Sequence, residues 1–410
     1  MKLSPTRKPA LLAASMLLPG MFLLPALAQA QSDASTGIDG TVVVVTAQKR
    51  SQSIQKTPIS IAALSGDTLS KSGITDLNQA VVSVPSVQVQ NTNMGATFYI
   101  RGIGSRGTGG ASPVSVHQDG IYQEQQDVTS ATMADVKRIE VLRGPQGTLY
   151  GRNANGGTIN IITNDPSLAG MSADAKLGFG NYNSRMGELS VNLPLSDTLA
   201  LRLTGAATKH DGYLTNGLSD RDDSVARAKL LWKPNADFRL LLTVQNTSTN
   251  SNGPGDVLIS DSVSNPWYAD ATNVFTSVFT GDPLFCSPNC QPYYHLNDTQ
   301  YGLQADYDLG FAVLTATAGH ETFKRNYLQV SAGGLEGDNR AFEQSSYEVR
   351  LASQASSALQ WVVGLYALDQ DSDELKLIYH IDTATGYPKT QRNRRPHLAR
   401  SPGLSPIVCA

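Results

Sequence analysis

The sequence is short of charge, of cysteine and of long apolar runs. Lys, Arg, Asp and Glu make up only 16% of its 410 residues, against roughly 25% in an ordinary soluble domain. That deficit excludes a basic nucleic-acid binder and a helical bundle rich in Ala, Glu, Lys and Leu. Hydrophobic residues at 40% exclude a disordered chain. Three cysteines, Cys286, Cys290 and Cys409, are too few for a disulfide framework. The spacing Cys286-Ser-Pro-Asn-Cys290 would suit one small bridge inside a loop, and it is wrong for a zinc ribbon. Six histidines are scattered, with no Ser-His-Asp order, paired-carboxylate cleft or metal cluster. Neither an enzyme nor a cofactor is expected. Beyond residue 30 no stretch of about 18 apolar residues occurs, which excludes a helical membrane protein.

Charge is also unevenly spread. The first 30 residues carry Lys2, Arg7 and Lys8 and no acid, then an apolar run from Ala10 to Leu27 and Ala28-Gln29-Ala30. This reads as a secretory signal with its cleavage site. Residues 383–410 carry five bases, no acid and several prolines. With eight bases set apart at the two ends, the body at 31–382 holds a net charge near −11 within a total of −3. The basic end shows no alternation and is expected to add no sheet strand. It reads as an anomalous, non-native tail.

Between the ends three zones follow. Residues 31–47 are a polar linker running into Thr41, Val42, Val43, Val44, Val45 and Thr46, a free β-branched run suited to adding to another protein's sheet edge. Residues 48–165 predict a compact α+β domain. Its strands are expected over 58–62, 97–101, 114–118, 136–142 and 158–163, with a helix capped by Thr75 and ending before Pro85. Over 170–382 the period becomes 2: Leu199, Leu201 and Leu203 share one face, Arg202, Thr204 and Thr208 the other. About ten such segments, with short turns such as 233–236 and a long loop at 249–297, predict part of a transmembrane antiparallel β-barrel.

Gly102-Ile-Gly104-Ser-Arg-Gly107 matches a dinucleotide-binding pattern, but Gly109, Gly110 and Pro113 follow where a helix must open, so that site is rejected. The informative run is Asp135-Val-Lys-Arg-Ile-Glu140-Val-Leu-Arg143-Gly-Pro-Gln-Gly-Thr-Leu-Tyr150-Gly-Arg-Asn-Ala-Asn-Gly-Gly157. It resembles the end of the plug domain of TonB-dependent outer-membrane receptors. Ile100-Arg101-Gly102, Asp119-Gly120-Ile121-Tyr122 and Thr41–Lys49 resemble the same family in the same order.

The resemblance implies a plug inside a barrel of about 22 strands, located in the cell outer membrane. It implies that 41–46 is a TonB box pairing with periplasmic TonB. It further implies that Arg101, Arg143 and Glu140 make ionic contacts between plug and barrel. The substrate would be a ferric siderophore or a similar scarce chelate, met by loop residues of which Asn93, Arg106, Tyr122 and Gln123 are candidates. With about ten strands, the chain is expected to be a truncated, non-transporting form. An exported binding or signalling module without transport is the alternative.

Overall fold

The computed structural model describes residues 44–46, 49–50, 52–57, 59–92, 95–105, 112–124, 126, 128, 131–253, 292–331, 334–381, 388–395 and 403–409. The readings made for residues 1–30, for Thr41, Val42 and Val43, for Asn93 and Arg106, and for Cys286 and Cys290 lie outside them.

The N-terminal domain begins with a two-residue hairpin, β1 (Val44–Val45) on β2 (Gln52–Ser53). Then come β3 (Ile61–Ser65), α1 (Gly66–Lys71), α2 (Leu77–Val82), β4 (Val87–Thr92), β5 (Gly95–Ile100), β6 (Val114–Gln118), β7 (Ile121–Gln123), β8 (Val136–Arg143), α3 (Gly147–Tyr150) and β9 (Gly157–Thr163). Five of these strands form one sheet in the order β3-β8-β9-β6-β7, and β4 pairs with β5. Strand parity builds the core. On β8, Ile139 and Val141 face a cluster containing Leu69, Leu77, Ala80, Val81, Phe98, Val116 and Ile159, whereas Leu142 faces Val45, Tyr150 and Ala154. The α2 helix is capped by Asp76, which accepts from the Gln79 amide, rather than by the expected Thr75; a carboxylate outcompetes a hydroxyl there. The β6–β7 turn is Asp119-Gly120 with φ of 48° and 85°. Two positive φ values give the twist a two-residue hairpin needs.

From residue 172 the chain is a wall of antiparallel strands: β10 (Ser172–Gly180), β11 (Ser184–Pro194), β12 (Leu199–His210), β13 (Arg221–Trp232), β14 (Phe238–Ser251), β15 (Tyr293–Asp308), β16 (Ala312–Ser331), β17 (Gly334–Ser353) and β18 (Val362–Ile381), each paired with the next. The period-2 reading holds, with the strands lengthening to 20 residues at β16–β18. Leu203, Tyr301, Leu303, Tyr347, Val349 and Leu365 are exposed on one face. Arg202, Thr204, Lys229, Gln300, Gln344 and Glu348 are buried on the other. The outer face carries aromatic neighbours near the short turns: Trp232 and Phe238 lie 5.7 Å apart, and Phe238 and Tyr307 6.4 Å apart. An apolar outer band with aromatic edges around a polar interior is the pattern of a membrane β-barrel wall. No helix among the described residues is long and apolar enough to cross a membrane.

The basic tail departs from expectation. Two short strands, β19 (Pro388–Arg395) and β20 (Gly403–Cys409), pair with the upper and lower parts of β18 on the edge left open by β17. That edge presents unpaired backbone groups to any extended segment, whatever its side chains. Proline is tolerated because Pro388 starts a strand and Pro406 lies on the outermost one.

Candidate functional site

The N-terminal segment is held by three carboxyl or amide groups. Glu140, fully buried on β8, accepts from the Thr46 amide at 2.8 Å, from Thr46 Oγ1 at 3.2 Å and from Arg138 Nε at 2.7 Å. Arg138 Nη2 also donates to Thr46 Oγ1 at 3.2 Å, closing the triangle. Arg138 and Glu140 are two residues apart on a strand, so they share the face that looks at the segment. Val45 is buried in the pocket beneath, against Leu142 and Tyr150. Lys49, at a φ of 57°, turns its ammonium to Glu348 on β17 at 3.0 Å. Arg50 Nη1 donates to Gln360 Oε1, in the turn between β17 and β18, at 2.5 Å. Burial pushes the Lys49 ammonium below its ordinary range against the opposing pull of Glu348.

The domain meets the wall through acids on one flank. Asp135 accepts from Arg202 Nε and Nη2, both at 2.6 Å, and from Thr204 Oγ1 at 3.0 Å. Asp119 and Asp165 share Lys229 Nζ at 3.0 and 3.2 Å, and Asp165 also takes Arg239 at 2.9 Å. Asp76 takes Arg221 at 3.0 Å. Burial would raise Asp119 and Asp135, but their cations outweigh it: Lys229 then Arg227 hold Asp119 below the usual carboxylate range, and Arg202 does so for Asp135. On the opposite flank the polarity reverses, with Lys49 on Glu348 and Arg152 Nη1 on Gln370 Oε1 at 2.5 Å.

Among the described residues, the three residues expected to join domain and wall make other contacts. Arg101 sits at a φ of 52° just past β5, its amide spent on the Ser86 carbonyl and its side chain exposed. Arg143 Nη1 donates to the Pro85 carbonyl at 3.3 Å, within the domain. Glu140 accepts from the N-terminal segment. Tyr122 and Gln123, expected to meet substrate, are 5% and 2% exposed. They are closed off because β7 packs on the wall: Gln300 Nε2 donates to Gln123 Oε1 at 2.5 Å and Gln344 Nε2 to the Tyr122 carbonyl at 2.8 Å. Tyr122 donates its hydroxyl to Glu124 at 2.8 Å, and Asn153 donates to that oxygen at 2.7 Å. The residues that sequence reasoning missed, Lys49, Asp119, Asp135, Asp165, Arg202 and Lys229, did leave a trace. Arg202 and Lys229 are cations on the polar parity of wall strands, which require acids opposite.

The seam between domain and wall is nearly solid. Cavities of about 50 Å³ beside α1 and β11 and of about 20 Å³ beneath Ile121 hold water at most. Among the described residues no cluster of His, Cys, Asp or Glu could hold a metal. What the site can do is mechanical: it seats the domain against one face of the wall and keeps a strand-forming segment latched to it.

Comparison with known proteins fits that geometry. Residues 53–158 match the TonB-dependent receptor plug domain family. The chain is 30% identical over 227 residues to the pesticin receptor of Yersinia pestis, covering 52% of this chain and 33% of that protein. It is 34% identical over 249 residues to the iron-regulated outer membrane virulence protein of Vibrio cholerae serotype O1, covering 57% and 37%. The matched region thus spans about a third of each relative's length. In fold, it is similar to the ferric yersiniabactin uptake receptor FyuA of Yersinia pestis, with a TM-score of 0.68 at 18% identity over 84% of this chain and 61% of that one. The siderophore receptor PiuA of Acinetobacter baumannii gives 0.65 at 16% identity, over 87% and 54%.

Proposed function

We propose that the chain, whose residues 53–158 match the TonB-dependent receptor plug domain family, is the plug, coupling segment and part of the wall of an outer-membrane uptake receptor. Its substrate class is a ferric siderophore or a similar scarce chelate, in keeping with what the relatives are named for. The observation that carries the reading is the latched strand. Val44–Val45 forms a minimal hairpin, held to the plug by burial of Val45 and by the bonds of Thr46 with Glu140 and Arg138. A partner strand from TonB would compete for the same backbone groups. Force applied there would act on a plug that closes the lumen.

The wall as described has one neighbour for β10, and the other end is capped by β19 and β20. In lipid each free backbone group costs several kcal/mol. The barrel therefore needs further strands to close, and these described strands alone would not transport. Binding of the purified periplasmic domain of TonB tests the coupling role. The wild-type chain in detergent is expected to bind it, and Val45→Pro, which removes one amide donor, to bind at least about tenfold more weakly. Equal binding by both, or no binding to a chain whose plug is folded, would refute the role.

A further inference from the structure

His117 on β6 and Tyr122 on β7 are direct cross-strand partners. Their rings lie 5.5 Å apart. On its other side His117 meets Tyr150 edge to face at 5.1 Å. The Lys49 ammonium then lies 5.0 Å from the centre of the Tyr150 ring. Four groups thus make one continuous stack from β7 to the coupling segment. Both ends are fastened to one wall strand: Tyr122 through its carbonyl to Gln344, and Lys49 to Glu348. Those two wall residues lie four apart on the lumen face of β17.

The imidazole is 3% exposed and, among the described residues, has no side-chain hydrogen-bond partner; the Gly120 backbone lies near it. Burial, and then nearby Lys49, push its pKa down to about 3, so it stays neutral and does not repel the ammonium beyond Tyr150. Its position is set by the two rings that hold it. An aromatic edge against Tyr150 also keeps that ring's face turned to Lys49, where the cation gains from the ring's negative face.

We propose that His117 is a positioning residue for the coupling segment. Wedged between Tyr122 and Tyr150, its ring ties the seating of β7 on the wall to the seating of Lys49 on Glu348. Displacing β7 then loosens residues 44–50. The consequence for uptake rests on the coupling role of Val44–Val45; the linkage itself does not.

A handle on β7 exists in the wall. Gly302 and Gly319 are cross-strand partners on β15 and β16, and a Cβ on either would meet Ile121 at 3.1 or 2.9 Å. Gly319→Leu therefore pushes on β7. Because a Cβ there also meets Ser346 Oγ at 3.0 Å, on β17 between Gln344 and Glu348, Gly302→Leu, which approaches Ile121 from β15, is measured beside it and must give the same result. Hydrogen exchange of peptides covering residues 44–57 is measured in the full chain, with no TonB present. Gly319→Leu is expected to speed exchange there about tenfold. His117→Leu should speed it by itself, and the double variant should be no faster than His117→Leu alone. His117→Phe, which keeps a flat ring, should restore both slow exchange and the response to Gly319→Leu. Exchange in β8–β9 reports whether each variant folds, and Tyr150→Leu replaces His117→Leu if that one does not. Additive effects, or a His117→Leu chain indistinguishable from His117→Phe, would overturn the linkage. Neither result depends on whether TonB binds, so failure of the coupling role is read separately.

Discussion

Glu140 has no access to water, and its charge is tolerated because Arg138, the Thr46 amide and the Thr46 hydroxyl all donate to it. Hydrogen bonds to a charged group contribute about 1.5–3 kcal/mol each. Glu140→Gln keeps the shape but replaces one acceptor by a donor facing Arg138. Exchange at the Thr46 amide is expected to rise by roughly ten- to a hundredfold, with β9 unchanged; an unaltered rate would remove Glu140 from the latch. Asp135 supplies a pH signature. Arg202 holds its folded pKa below the ordinary 3.8. Its contribution to stability is therefore complete above that value and is lost as pH falls through the lower, folded value. Thermal unfolding between about pH 5 and pH 2 should show a steeper loss in the wild type than in Asp135→Asn; parallel curves would contradict this. The contact of Glu140 with Thr46 was not legible in the sequence for a simple reason. Parity shows that Arg138 and Glu140 share a face, but the neighbour on that face arrives from 94 residues away.

At the scale of elements, the wall strands were legible because alternation is a local property. Arg202 and Leu203 declare inside and outside wherever the fold puts them. Strand length was not legible: β15–β18 run on past the apolar band, where both faces become polar and period 2 loses its contrast. Nor was the tail, since β19 and β20 pair along the free edge of β18. The Gly302–Gly319 dent that receives Ile121 spans two strands and was invisible too. It predicts a steric threshold. Gly319→Ala already requires Ile121 and Ser346 to give way by a few tenths of an ångström, and Gly319→Leu should cost about 1–3 kcal/mol more as an overpacked contact. Denaturant unfolding of the two variants separates them, and equal stability would mean that β7 does not press on the wall.

At the scale of the molecule, the plug is seated by opposite charges on its two flanks. Acids meet Arg202, Arg221, Lys229 and Arg239 on one side; on the other Lys49 pairs with Glu348, and Arg152 donates to the uncharged Gln370. This arrangement fixes which way the plug faces. Lys229, 1% exposed and shared by two acids, is the most enclosed of these cations. Lys229→Met should destabilise the seated plug by about 1–3 kcal/mol, because Asp119 loses its nearest cation and keeps only Arg227 and the two Thr163 donors. Protease sensitivity of the β6–β7 hairpin would report it, and wild-type resistance would contradict it. The family was legible from the Asp135–Gly157 run, whereas the charge pattern was not, because each pair joins residues from separate zones. The reading stands most directly on whether Val44 meets TonB in the cell. A photocrosslinker placed at Val44 in the outer membrane is predicted to capture TonB, and to capture more of it when Glu140→Gln opens the latch. A folded plug that yields no TonB adduct in either background would contradict it.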